Sequence, residues 1–165
     1  CCVGFGNGVI WLMLDELREL YQEVILDHGK DPRNFRKPDN ANREATGNNP
    51  LCGDQLIIYL SVDEKEIVQD AAFLGNGCAI SMASASMMTE IVQGKTREEA
   101  EILFQRFHAM CTSDEEVNFD DDEDVERLMV LSGVRQFPVR VKCATLAWHT
   151  MDAALKGASE ISTER

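Results

Sequence analysis

The chain has 165 residues, of which 44% are hydrophobic and 27% are charged, so it can form one globular domain with its own core. Asp and Glu outnumber Lys and Arg by 29 to 16, which gives a net charge of −13. This balance argues against nucleic acid or an anionic membrane as a partner, because both are bound through clustered basic residues. No stretch reaches the roughly 20 apolar residues of a membrane span.

The first residues do not resemble a secretory signal. Residues 1–12 carry no Lys or Arg, so the basic start of such a signal is missing, and Met13 stands directly before a helical pattern. We therefore expect residues 1–12 to be a non-native or dispensable extension. Residues 13–165 are predicted to form a single domain.

The first helical pattern follows Met13. Its buried stripe has spacings of four, three and four and consists of Leu17, Tyr21, Val24 and His28. Gly29 and Pro32 end this amphipathic helix. Residues 29–50 are rich in Asn, Pro, Gly and Asp and are typical of a long connection, with a short strand near residues 43–46.

The next segment alternates with a period of two and predicts a β-hairpin. In residues 55–62 the apolar side chains of one face are Leu56, Ile58, Leu60 and Val62. A polar turn at residues 63–65 leads to a second extended run over residues 67–74. The sequence Gly-Asn-Gly at residues 75–77 then breaks the strand pattern.

Three further helices follow. The first carries a stripe of Ile80, Ser84, Met87, Met88 and Ile91 and ends at Gly94. Thr96 and Glu99 form a capping box that opens the second, whose stripe is Ala100, Leu103, Phe104, Phe107 and Met110. The last begins near Pro138 and carries Val141, Ala144, Trp148, Met151 and Leu155. We predict an α+β fold in which several helices pack against a small antiparallel three-stranded sheet.

An acidic block at residues 113–126 separates the second and last of these helices. Such a block is typical of a solvated surface element and less often of a docking surface.

The six cysteines are Cys1, Cys2, Cys52, Cys78, Cys111 and Cys143. The last four contain no CxxC pair, and a chain with its own core does not depend on disulfides. We therefore expect reduced thiols and a cytoplasmic protein. No role is assigned to the first two.

Three cysteines and one aspartate are candidates for a metal site. Cys52 and Asp54 share the turn before the first hairpin strand, and Cys143 lies in the first turns of the last helix. Cys78 opens a predicted helix, where the helix dipole favours the thiolate. Three thiolates and one carboxylate suit tetrahedral zinc or one edge of an iron–sulfur centre. The alternative is that each cysteine is a small buried hydrophobic residue.

For one further cysteine and the three histidines, a structural role is favoured over metal binding. Cys111 lies at a helix end and is expected in the core. We expect His28, His108 and His149 to have surface or core roles rather than metal-binding ones.

Four segments, in order, resemble the U-type iron–sulfur assembly proteins, the IscU and NifU amino-terminal domain family. They are residues 21–28 with 31–34, residues 49–54, residues 77–81 and residues 133–148. Two features resemble the SufU branch of this family. Lys142 stands where IscU scaffolds have a histidine before the third cysteine, and the acidic stretch near residues 113–131 resembles the insertion of that branch.

The resemblance implies a SufE/NifU-like fold and a zinc protein that accepts persulfide sulfur from a SufS-type cysteine desulfurase. It implies four zinc ligands, Cys52, Asp54, Cys78 and Cys143, with Cys52 as the sulfur acceptor. Arg140 matches a family position near the desulfurase contact. Such a protein would be a sulfurtransferase-like carrier that supplies downstream cluster-assembly proteins, rather than a free-standing turnover enzyme.

Three alternatives remain. A scaffold would assemble a transient iron–sulfur cluster, but Lys142 would have to lose its proton to act as a ligand, so sulfur transfer is favoured. A purely structural zinc in a binding adaptor would use four Cys or His ligands in local pairs, whereas the candidate set is not arranged in pairs and includes an aspartate. A zinc hydrolase would need an open coordination position and a base, and the sequence has no HExxH motif.

Overall fold

The structure is a computed structural model that describes residues 23–50, 53–112, 123–136, 138–157 and 160–162. The predicted extension at residues 1–12, most of the acidic block and Cys52 lie outside the described residues. The single-domain prediction for residues 13–165 and its acidic insertion stay predictions.

Helix α1 is described over residues 23–30. The elements of the first half are the strands β1 (Arg43–Asn49), β2 (Asp54–Val62) and β3 (Val68–Asn76), and the helices α2 (Ala79–Val92) and α3 (Arg97–Thr112). Those of the second half are α4 (Glu123–Leu128), the 3₁₀ segment η1 (Met129–Gln136), α5 (Pro138–Leu155) and the strand β4 (Glu160–Ser162).

The sheet has the strand order β3-β2-β1-β4. Strands β1, β2 and β3 are antiparallel neighbours, which confirms the predicted three-stranded antiparallel sheet. The three-residue β4 adds a parallel edge beside β1. Three residues are too few to show a period of two, so the sequence pattern gave no sign of this strand.

Two strands are longer than the sequence predicted. β1 continues past Thr46 to Asn49, which pairs with Asp54. β3 continues through Gly75 to Asn76, which pairs with Gln55. Gly75 has φ of +145°, and a side chain there would collide with the Gln55 carbonyl oxygen, so this glycine belongs to the strand rather than ending it.

The helices cover one face of the sheet. Of the predicted inward residues of β2, Leu56, Ile58 and Leu60 are fully buried and Val62 is partly buried. Tyr59 and Ser61 on the other face are buried as well. α5 packs on β1 and β2, α2 packs on β3 and on α5, and α3 packs against α5. The ring centroids of Phe107 and Trp148 lie 5.1 Å apart between α3 and α5.

The capping box of α3 is formed as predicted. The Glu99 amide donates to Thr96 Oγ1 at 3.1 Å, and the Thr96 amide donates to Glu99 Oε1 at 3.2 Å. The described helices include none with both the length and the apolar character needed to cross a bilayer.

Helix α4, which contains the described end of the acidic block, forms ion pairs with residues near the end of α2. In α4, Asp124 Oδ2 lies 2.6 Å from Lys95 Nζ, and Arg127 lies 3.5 Å from Glu90. Leu128 at the end of the same helix is fully buried. Ion pairs therefore hold the exposed side of α4, and the core holds its last residue.

Gly47 marks the place where α5 crosses β1. An added Cβ would collide with the Thr150 hydroxyl and approach Leu146 Cδ1 at 3.1 Å. We expect Gly47→Ala to lower the free energy of unfolding by about 1–3 kcal/mol, as overpacking does. Urea denaturation measures the change.

The Thr150→Ala substitution provides the control, because it removes the colliding oxygen. We expect the two changes together to cost less than the sum of their separate effects. An unchanged unfolding midpoint for Gly47→Ala would contradict this account of the contact.

Candidate metal centre

The candidate ligands meet at one end of the sheet. Asp54 is the first residue of β2, Cys78 is the N-cap residue of α2, and Cys143 lies in the second turn of α5. Their ligand atoms all lie within 4.8 Å of one another. The structure therefore brings together three of the four residues predicted as metal ligands, and the placement of Cys52 stays a prediction.

Two hydrogen bonds fix the Asp54 carboxylate. Its Oδ1 accepts the backbone N–H of Cys78 at 2.9 Å, and its Oδ2 accepts the side-chain amide of Asn49 at 3.2 Å. Asp54 is only 2% exposed, so these donors offset part of the cost of burying a carboxylate. The bond to Cys78 also joins the start of β2 directly to the start of α2.

Asn49 is a site residue to which the sequence analysis gave no role. It is fully buried at the end of β1, and its Nδ2 also lies 3.6 Å from Cys143 Sγ. An NH₂ group only donates, so Asn49 supplies a hydrogen-bond donor to the Asp54 carboxylate and a donor within reach of the Cys143 sulfur. The only sequence signal was its place in the segment of residues 49–54.

Cys78 has a pKa lowered to about 6. The largest cause is the hydrogen bond with the Cys143 thiol, and the backbone N–H groups of Ser81 and Ile80 in the first turn of α2 add to it. Burial and the nearby Asp54 carboxylate act in the opposite direction. The predicted thiolate at a helix N-terminus is thus supported by the structure, with a neighbouring thiol as the stronger influence.

Gly77 allows the carboxylate to approach α2. A Cβ at this position would lie 2.9 Å from Asp54 Oδ1 and 3.1 Å from Ser81 Oγ. The first contact is shorter than real Cβ contacts and the second is tighter than most of them. A side chain at residue 77 would therefore push against the Asp54 carboxylate, which glycine leaves in place.

Cys111 and the histidines lie away from this centre. Cys111 is fully buried in the core cluster. His28 Nδ1 is hydrogen-bonded to Ser86 Oγ at 2.7 Å. His108 and His149 contact each other edge to face, with ring centroids 5.6 Å apart. Within the described ranges, Asp54, Cys78 and Cys143 form the single cluster of three or more such ligands.

The chemistry of the three ligands fits zinc. Zinc–sulfur bonds of about 2.3 Å and zinc–oxygen bonds of about 2.1 Å place tetrahedral ligand atoms less than about 4 Å apart. Ligand atoms within 4.8 Å of one another need only a small closure to reach that spacing. Two sulfurs and one carboxylate oxygen also leave a position for a fourth ligand.

Comparison with known proteins assigns the chain to a family. The NifU-like N-terminal domain family matches residues 20–164. The chain is 43% identical over 136 residues to the zinc-dependent sulfurtransferase SufU of Bacillus subtilis, which covers 82% of this chain and 89% of that protein. It is 40% identical over 145 residues to the iron–sulfur cluster assembly scaffold protein IscU of Streptococcus pyogenes, which covers 88% of each chain.

A solved structure has the same fold. It is a putative iron–sulfur cluster assembly scaffold protein for the SUF system from Fervidobacterium islandicum, with a TM-score of 0.73 and 33% sequence identity. The match covers 84% of this chain and 98% of the other.

The close contact at Gly77 predicts the effect of one methyl group. We expect Gly77→Ala to displace the Asp54 carboxylate and to weaken zinc binding roughly 10-fold, since residues that orient metal ligands have effects of this size. Competition with a chromophoric chelator measures the affinity.

Gly29→Ala is the matched control. A Cβ there would meet its nearest neighbour, Ala79, at an ordinary distance of 3.5 Å, and alanine favours the helix. We expect its zinc affinity to equal that of the parent. Equal affinities for all three proteins would show that the Gly77 contact does not govern the site.

Proposed function

Because this chain belongs to the NifU-like N-terminal domain family, the IscU-type family of iron–sulfur cluster assembly proteins, we propose that it is a zinc-dependent sulfur carrier. In this proposal Cys52, Asp54, Cys78 and Cys143 bind the metal. Cys52 accepts sulfur from the persulfide of a SufS-type cysteine desulfurase. Downstream cluster-assembly proteins receive the sulfur.

The observation that carries the proposal is the convergence of three ligands from distant parts of the chain. Asp54, Cys78 and Cys143 come from a strand, a helix start and a second helix, yet their ligand atoms lie within 4.8 Å of one another. Buried anionic groups this close repel one another unless donors or a cation stabilise them. Asn49 and the Cys78 amide are such donors, and a divalent cation would complete the balance.

The chain connection between Cys52 and Asp54 supports a place for Cys52 in this cluster. Gly53 alone separates it from Asp54, so the two Cα atoms are at most about 7.6 Å apart. Glycine at residue 53 has φ of +71°, which turns the chain at the edge of the centre. These facts support Cys52 as the fourth ligand.

Sulfur transfer needs an ionised cysteine at the moment of contact with the donor. The Cys52 thiolate attacks the outer sulfur of the partner's persulfide and forms a new S–S bond. The old S–S bond breaks, and its electron pair leaves with the partner's cysteine thiolate. Zinc has no redox chemistry, so it can hold thiolates beside a persulfide without oxidising them.

The start of α5 suits contact with a partner. Arg140 is exposed one turn before Cys143, and Val139 beside it is 48% exposed. A cation and an apolar side chain at the edge of the centre would contribute to docking of the desulfurase.

A cluster scaffold is the second candidate, because the similar IscU protein of Streptococcus pyogenes carries that name. In this chain Lys142 precedes Cys143, and a protonated amine cannot bind a metal. The residue therefore favours the carrier over the scaffold. It also provides the chemical distinction that an experiment can use.

The carrier proposal predicts which cysteine is modified. After anaerobic incubation with a SufS-type desulfurase and cysteine, we expect the parent to gain one sulfur atom, seen as a mass increase of about 32 Da. Cys52→Ala should gain none, because the attacking thiolate is absent. Whole-protein mass spectrometry measures the difference.

Cys111→Ala is the control, because that cysteine lies in the core. It should gain sulfur as the parent does. Sulfur gain by Cys52→Ala at the level of the parent would overturn the assignment of the acceptor.

Metal content separates carrier from scaffold. After incubation with the desulfurase, cysteine and ferrous iron, we expect about one zinc per chain to remain and no visible chromophore to appear. Elemental analysis and the absorption spectrum give the result. Replacement of zinc by iron, with absorption bands of an iron–sulfur cluster, would favour the scaffold.

A further inference from the structure

We propose that the Asn76-Gly77 bond is a site of spontaneous deamidation, which converts Asn76 to aspartate or isoaspartate directly beside the candidate metal centre. The reaction is succinimide formation followed by hydrolysis, and water is its co-reactant. The modification goes beyond the proposed function, whereas its effect on zinc rests on the candidate centre.

The strand pairing of the chain ends at the reactive residue. Asn76 is the last residue of β3 and pairs with Gln55, and the chain beyond it leaves the sheet. Asn76 and Gly77 are both exposed, so water reaches the bond between them. Asparagine is among the thermolabile residues, and an exposed one at a strand end is not protected by packing.

Neither of the two reacting groups is held by a hydrogen bond. Within the described ranges, the Gly77 N–H donates to no backbone oxygen, because Gly77 lies past the last pair of the β2–β3 ladder. The Asn76 side chain has no hydrogen-bond partner among the described residues either. The backbone nitrogen and the side-chain carbonyl carbon are therefore free to approach each other.

The residue after Asn76 has no Cβ to hinder ring closure, and glycine reaches backbone conformations that are closed to other residues. The same glycine leaves the Asp54 carboxylate in place, since a Cβ there would lie 2.9 Å from Asp54 Oδ1. The geometry of the centre thus favours a residue that also makes Asn76 reactive.

The reaction balances with water alone. The Gly77 nitrogen attacks the side-chain carbonyl carbon of Asn76 and forms a new N–C bond. The bond from that carbon to Nδ2 breaks, and ammonia leaves with the proton of the Gly77 N–H. Water then opens the succinimide ring at one of its two carbonyl groups. Opening at the side-chain carbonyl gives aspartate, and opening at the main-chain carbonyl gives isoaspartate.

Isoaspartate lengthens the main chain by one methylene group just before a candidate ligand. Cys78 follows Gly77 directly, and its backbone N–H donates to Asp54 Oδ1 at 2.9 Å. An inserted methylene displaces this N–H and moves the Cys78 thiol relative to Asp54 and Cys143. Metal affinity falls when the groups that orient ligands are displaced.

The two products separate charge from geometry. Both replace a neutral amide by a carboxylate, so each adds one negative charge near the centre. Aspartate adds the charge alone, and an exposed charge is screened by salt. Isoaspartate adds the charge and the methylene, so a large loss of zinc affinity is expected for this product only.

Two other exposed asparagines of the described residues differ from Asn76. The Asn42 side chain donates to the Val62 carbonyl oxygen at 2.7 Å and accepts the Val62 N–H at 2.9 Å. Asn40 is exposed, but Ala41 follows it, and the alanine Cβ hinders ring closure. Asn40 is therefore the internal control.

The test ages the full chain in warm, mildly alkaline buffer, in an Asn7→Gln background that removes the other Asn-Gly pair of the sequence. We expect Asn76 to gain about 1 Da, the difference between OH and NH₂, as thermolabile asparagines do. Its rate should exceed that of Asn40 by roughly 10-fold or more, because Ala41 hinders the ring. Peptide mass spectrometry measures both rates.

A second readout detects the isoaspartate itself. An isoaspartyl methyltransferase should label the aged protein, whereas Asn76→Gln should stay unlabelled, because its longer side chain does not form the succinimide ring. Equal rates at Asn76 and Asn40, or equal labelling of the aged parent and Asn76→Gln, would overturn the proposal.

Zinc alone is the probe for the consequence at the centre. We expect the isoaspartate form to bind zinc roughly 10-fold more weakly than the unaged protein. Asn76→Asp, which adds the charge without the methylene, should bind within about twofold of the parent, since salt screens an exposed charge. Equal zinc affinities for the isoaspartate form and the unaged protein would overturn the effect on the centre.

These results are separate from the test of the proposed function, because the mass change and the isoaspartate label do not depend on zinc or on a desulfurase. Deamidation of Asn76 in a protein that gains no sulfur would reject the carrier and keep the modification site. Sulfur gain by a protein in which Asn76 stays intact would keep the carrier and reject the modification site.

Discussion

The hydrogen bond from the Cys78 backbone N–H to Asp54 Oδ1 organises the centre. It links the first residue of β2 to the first turn of α2, and so it sets the distance between two candidate ligands. The same bond satisfies one of the N–H groups that every helix leaves open at its start. One carboxylate oxygen therefore serves both the helix and the site.

This arrangement depends on the sheet as much as on the helix. Asp54 lies on the same face of β2 as Leu56, Ile58 and Leu60, so the site is a polar continuation of the hydrophobic face. A shift of the β1–β2 register by one residue would turn the carboxylate and the core side chains away together. The same alternation of inward and outward side chains along β2 therefore specifies both the core and the site.

Much of the fold could be predicted from local patterns. The hairpin and the capping box of α3 follow from periodicity and from residue types that act within a few positions. The predicted stripe of α5 is only part of its burial, because this helix is buried on most of its surface. The sequence did not predict β4 or the full length of β3, because pairing with neighbouring strands decides both. The sequence pattern predicted that the strand ends before Gly75, whereas this glycine lies within β3 and allows close approach of the β2 backbone.

The candidate ligands could be named from the sequence through a family resemblance, but their supporting residues could not. Asn49 contacts Asp54 and Cys143 because β1 extends to the end of its pairing with β2. Tertiary contacts of this kind leave no mark in a single sequence.

The spread of the ligands along the chain has a consequence for how the centre forms during folding. Asp54 and Cys78 are 24 residues apart and are joined by a single hairpin, so they can meet early at a small cost in loop-closure entropy. Cys143 joins them only when α5 packs on β1 and β2. A metal ion that arrives early therefore meets an incomplete site, and tight binding waits for the last helix to dock.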